Sequence, residues 1–172
     1  AIEIGWPCKE VLYILLYAFA FGHARMSLTD SFSVPSRHAA PGVPAGVTEP
    51  MIHEVVHGFY AKVRIDPALG PIFERAIGDD WDAHLAKMCD FWSSVLLMTG
   101  RFKGAPMATH ARLPGIRPTH FARWLHLFHQ TVGELCPPAA AELFVAKSNM
   151  IAQSLQLGIS AARGELPPVR TT

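Results

Sequence analysis

The sequence predicts an all-α fold of four long helices joined by short connectors. Three observations carry that prediction. Apolar residues recur at helical spacing in four long segments. Helix-starting and helix-stopping residues bracket those segments. No stretch alternates apolar and polar residues for long enough to make a strand.

The first helix starts at Thr48-Glu49-Pro50, which supplies an N-cap hydroxyl, then an acid and a proline in the first turn. It runs to about Arg64 and stops near Asp66-Pro67. A Leu69-Gly70-Pro71 turn leads to Ile72-Phe73 and a second, short helix. The next long helix is capped by Asp79 or Asp80 and ended by Gly100. Its ~20 residues span ~30 Å. His84, Met88, Phe91 and Val95 share one of its faces, so His84 lies with the apolar stripe. Between Arg101 and Pro118 the chain is broken by Gly104, Pro106, Pro114, Gly115 and Pro118. One short helical turn fits there, and it carries His110. A long helix follows from about Thr119 to Leu135 and stops at Pro137-Pro138, with His120, Phe121, Trp124, Phe128, Thr131 and Leu135 on one face. The last helix covers about Ala139 to Leu157 and ends at Gly158.

Residues 1–47 read differently, as an extension ahead of a domain over 48–172. Val11 to Gly22 is an apolar run of twelve residues, short of the ~20 that span a bilayer. With Lys9 before it and Gly22-His23-Ala24 after it, the run matches a secretory leader and its cleavage site. The alternative, which we favour, is that the run is not part of the natural product and that Met26-Ser-Leu-Thr-Asp marks an ordinary start. Ser31 to Val47 is rich in Pro, Gly and Ala and reads as a flexible linker.

Composition narrows the function. Half of the 172 residues are apolar and 17% are charged, which excludes a disordered chain. A net charge of +1 without a basic stripe gives no footprint for nucleic acid. Cys8, Cys89 and Cys136 are odd in number and far apart. They indicate neither a disulfide framework nor a zinc knuckle, and they fit a reducing, cytoplasmic compartment.

Two constellations compete for the chemistry. His53-Glu54-Val55-Val56-His57 matches H-E-x-x-H, which places two imidazoles on one helix face for zinc with Glu54 as base. A zinc peptidase needs a third ligand, however. The positions three and six after His57 are Tyr60 and Val63, and Glu74 is seventeen away in another element. The favoured reading is a surface helix with two solvated histidines. The second constellation is Tyr60, His84, His110 and Trp124, which makes sense around a flat iron porphyrin. Haem needs a neutral imidazole on one side and an apolar slot, which Phe59, Phe73, Phe91, Trp92, Phe121 and Phe128 supply. A gas that draws electron density from iron is stabilised by donors such as a tyrosine hydroxyl and an indole N–H. Spacing alone leaves the ordinary readings open: Tyr60 at a core edge, Trp124 as packing, His84 as a satisfied core group.

Four ordered blocks carry a resemblance. They are Phe59-Tyr60 through Phe73, Trp81 through Ser94, Pro106 through Pro114, and His120 through Phe128. In these the chain resembles the third group of truncated haemoglobins over roughly residues 51 to 157. The resemblance implies a two-over-two helical sandwich and haem b (iron protoporphyrin IX). It implies His110 as the proximal iron ligand, Tyr60 as a distal donor, His84 as a distal gate and Trp124 as the pocket tryptophan. It implies Lys87 as a propionate partner, Phe73 as the ring that wedges the porphyrin, and Phe91 and Phe121 as further cofactor contacts. The glycine pairs of the other truncated groups are missing. The expected function is reversible binding of dioxygen, NO or CO, in oxygen transport or nitric oxide handling. NO dioxygenation and peroxidase chemistry are side activities of such a site, not a dedicated enzyme's. Either needs an unidentified reductase, because no Gly-rich flavin or nicotinamide fingerprint is present. A monomer with no membrane partner for the globin domain is expected.

Overall fold

The structure, a computed structural model, describes residues 40–111 and 115–165. The apolar run at 11–22, the two readings of it, most of the 31–47 segment and the end of the third block (Leu113-Pro114) lie outside the described residues. Among the described residues six helices follow one another: α1 (Glu49–Ile65), α2 (Gly70–Ile77), α3 (Trp81–Leu97), α4 (Pro106–Ala111), α5 (Pro118–Leu135) and α6 (Pro138–Ala162). There is no strand among the described residues. The four long helices predicted from periodicity are α1, α3, α5 and α6.

α1 begins as the sequence dictates. Thr48 is the N-cap, its hydroxyl accepts the Met51 N–H at 3.3 Å, and Pro50 needs no N–H partner there. Its buried stripe is Ile52, Val55, Val56, Phe59, Tyr60 and Val63. That stripe brings α1 against α2, α3 and α5, while α6 packs on α5 and α4. The turn after α1 is fixed by Asp66, which is 5% exposed. Its carboxylate accepts the N–H groups of Ala68 and Leu69 at 3.0 and 2.9 Å and an Arg123 N–H from α5 at 2.7 Å. Burial alone would raise the Asp66 pKa. The Leu69 N–H, Arg123 and the Ala68 N–H together hold it below the ordinary carboxylate range.

Three boundaries differ from the sequence expectation, each for a local reason. The segment read as linker is already packed from Gly42, whose N–H donates to the Leu96 carbonyl at 2.8 Å. A Cβ at Gly42 would lie 2.8 Å from that oxygen, so the glycine serves a close approach to α3. Val47 is buried as well. α3 stops at Leu97, before Gly100, because Met98 takes the left-handed conformation (φ 55°). The chain then folds back on the last turn of α3. Thr99 bonds to Ser93 at 2.9 Å, the Phe102 N–H donates to Ser94 at 2.9 Å, and Arg101 pairs with Glu49 and Asp90 at 2.7 and 2.9 Å. Finally, α6 passes through Gly158. A side chain at that position would collide with Met107 of α4, so the glycine is a contact point between helices and not a stop signal. Asp80 does occupy the N-cap of α3, but its side chain makes no capping bond.

The main core combines aliphatic side chains with a set of packed rings. Phe59, Phe128 and Phe144 are fully buried, each contributing roughly 1.5–3 kcal/mol. Trp124 stacks on Phe128 (centroids 5.1 Å, 5° between planes), and Phe128 stacks on Trp92 (4.9 Å, 11°). A smaller cluster of Ile116, Phe121, Ala152, Leu155 and Ile159 joins α5 to α6. No helix among the described residues is long and apolar enough to cross a membrane.

Candidate functional site

Residues from both clusters line one cavity of about 300 Å3. Tyr60, Phe73, His84, Lys87, Phe91, His110, Phe121 and Trp124, the residues singled out from sequence, all reach it. They come from α1, α2, α3, α4 and α5, so the fold gathers what the chain disperses.

His110 sits in the six-residue helix α4. Its Nδ1 lies 2.8 Å from the Pro106 carbonyl oxygen one turn back. A carbonyl only accepts, so Nδ1 carries the proton and Nε2 keeps its lone pair. A backbone carbonyl that fixes the tautomer and ring direction is the usual second contact of a metal-binding imidazole.

His84 behaves differently. Its Nε2 is buried and has no hydrogen-bond partner. Its pKa is pushed down to about 4, by burial first and then by the positive charge of the nearby Lys87. The ring is therefore neutral near pH 7. Its neighbour Tyr60 is 6% exposed, with ring centroids 4.9 Å apart and nearly perpendicular. Burial raises the Tyr60 pKa above the ordinary phenol value, so the hydroxyl stays protonated and able to donate.

Trp81 was only part of a sequence block, yet the structure gives it a task. Its indole N–H donates to Glu74 at 3.1 Å, the Arg64 guanidinium carbon lies 4.7 Å from its ring centroid, and its ring stands about 6 Å from both Tyr60 and His84 (6.2 and 6.1 Å). It ties α2 to α3 behind the two polar residues. The sequence reading also missed the far wall. Phe102 comes from the fold-back loop, where no periodicity exists. Ile151, Ala152 and Leu155 come from α6, where the i, i+1, i+4 spacing was legible. His120, read as a face residue, reaches the cavity while its Nδ1 accepts the Arg117 N–H at 3.1 Å.

His53, Glu54 and His57 stand apart. All three are exposed and none lines the cavity. Among the described residues no group of three or more His, Cys, Asp or Glu side chains is placed to hold a metal ion.

No family model matches the chain. The chain is 34% identical over 113 residues to the Group 3 truncated hemoglobin ctb of Campylobacter jejuni, a match that covers 64% of this chain and 89% of that protein. It is similar also to the crystal structure of group III truncated hemoglobin from Campylobacter jejuni, with a TM-score of 0.62 and 34% identity over 64% of this chain and 89% of that one.

Proposed function

The chain belongs to the group III truncated haemoglobins, and from that membership we propose that it holds haem b and reversibly binds dioxygen, nitric oxide and carbon monoxide. The observation that carries this reading is the pairing of two imidazoles on one aromatic-walled cavity. One, His110, has its Nδ1 tied to the Pro106 carbonyl and its Nε2 free. The other, His84, buries an Nε2 that no protein group satisfies. A buried nitrogen without a partner costs roughly 1–3 kcal/mol, and such a cost is common where a ligand is to be met. The donor set fits haem.

His110 would hold the iron, because it alone of the two is oriented by a carbonyl behind it. Phe73, Phe91 and Phe121 would flank the porphyrin, and the exposed Lys87 at the cavity lining would pair with a propionate. When bound, haem would supply an iron that takes an imidazole from the protein and binds a small gas. The polar work is then done by this chain's own groups. Tyr60 presents an O–H that burial keeps protonated. Trp124 presents an indole N–H from a ring held by stacking on Phe128. His84 stays uncharged near pH 7. Such donors on an aromatic-walled cavity would suit retention of a polar gas better than its rapid release. Turnover of nitric oxide or peroxide would draw on a separate reductase, and we place gas binding ahead of it.

The test is spectroscopic. The full chain is titrated with hemin, reduced, and examined with and without carbon monoxide. The proposal expects one hemin per chain, a Soret band, and a shift of that band on adding carbon monoxide. A chain that leaves hemin free in solution would contradict it.

A further inference from the structure

His53 and His57 are the one motif of the sequence that the cavity does not use. They lie one turn apart on α1, both are exposed, and their rings stack with centroids 3.9 Å apart and planes 25° from parallel. We propose that His53 and His57 form a two-imidazole surface site for a late divalent transition-metal ion, Cu2+ most tightly and Zn2+ less so.

The helix does the preparatory work. Residues at i and i+4 share a face, and the stacked rings show that both imidazoles already point the same way. A rotation about the side-chain bonds turns both ring nitrogens to one ion without disturbing the backbone. Holding two ligands on a rigid helix makes the second bond intramolecular, which raises affinity over a single imidazole by roughly a hundredfold or more. Imidazole suits Cu2+ and Zn2+ rather than Mg2+ or Ca2+, and Cu2+ stands at the top of the affinity order. Asp82, at the start of α3, lies near enough to act on His57, and its negative charge favours a cation there. With no third protein ligand among the described residues, water would fill the remaining positions. Glu54, at i+1, points off the shared face, so the site binds metal and does not hydrolyse peptides. The inference is independent of the haem reading, since neither histidine lines the cavity.

The experiment is calorimetric titration of the full chain with Cu2+, Zn2+ and Mg2+, with electron paramagnetic resonance of the Cu2+ sample. The wild type is expected to show a tight one-to-one Cu2+ phase with two nitrogens on the metal, a weaker Zn2+ phase and none for Mg2+. His53→Ala and His57→Ala are each expected to weaken that phase roughly a hundredfold. Glu54→Gln should leave it unchanged. The positions are exposed, and helical circular dichroism checks that each variant folds. Adding Ala61→His to His53→Ala rebuilds an i, i+4 pair with His57 at another exposed position and should restore tight binding. The inference is overturned if the wild type lacks the phase, if both single variants retain it, or if the rebuilt pair does not bind.

Discussion

Tyr60, His84 and His110 acquire their properties from burial and from single contacts, so single substitutions separate them. Tyr60 is the protonated donor of the cavity. In the reconstituted chain, Tyr60→Phe is expected to speed oxygen dissociation about tenfold, the equivalent of one hydrogen bond of roughly 1–1.5 kcal/mol. Equal stopped-flow rates would remove Tyr60 from that role. His84 makes a prediction about pH. Its folded pKa of about 4 lies below the ordinary value of 6.5. Between those values the unfolded chain takes up a proton that the folded chain refuses, so stability falls as pH falls through that window. In His84→Leu this contribution is gone. Urea midpoints of the variant should therefore decline less between pH 6.5 and 4.5 than those of the wild type, and parallel declines would show that His84 does not titrate this way. From sequence, His84 was legible as a member of an apolar stripe. That its Nε2 has no partner was not, since partners come from elements distant in the chain.

The helices themselves were mostly legible, because Thr48 with Pro50, the α1 stripe and the Pro137-Pro138 stop act through neighbouring residues. The errors fell where a residue serves a contact remote in sequence. Gly42 and Gly158 read as linker and stop signal, since glycine usually marks both. In the structure one lets a turn reach the Leu96 carbonyl and the other lets Met107 lie against α6. The early end of α3 at Met98 is of the same kind, because the Ser93–Thr99 hydrogen bond and the one that Ser94 accepts from the Phe102 N–H stabilise the turn back. Gly42 gives a test at this scale. Gly42→Ala pushes a methyl group against a backbone carbonyl that cannot swing aside, and overpacking of this kind costs roughly 1–3 kcal/mol. The variant's denaturation midpoint should fall accordingly. An unchanged midpoint would mean that the 40–47 turn contributes nothing to the domain.

Across the whole molecule, the fold's achievement is convergence. Tyr60, Phe73, His84, His110 and Trp124 are spread over five helices; the packing of α1 on α2, α3 and α5, and of α6 on α5 and α4, draws them to one cavity. The four sequence blocks made these residues recognisable as a set, and their order along the chain placed them on the right helices. The wall from α6 and the loop residue Phe102 escaped notice because nothing local distinguishes them from ordinary packing. H-E-x-x-H illustrates the converse. A short motif fixed by three residues suggested zinc chemistry, the sequence around it offered no third ligand at the required spacing, and among the described residues no group of three or more such side chains is placed to hold a metal ion.

The proposal that His110 would hold the iron of haem is tested most directly by removing its ring and giving it back. Hemin affinity is measured for the wild type and for His110→Gly, the latter with and without free imidazole. The wild type should retain hemin through gel filtration, His110→Gly should lose it, and imidazole should restore both retention and the Soret band. Undiminished retention by His110→Gly without imidazole would contradict the assignment.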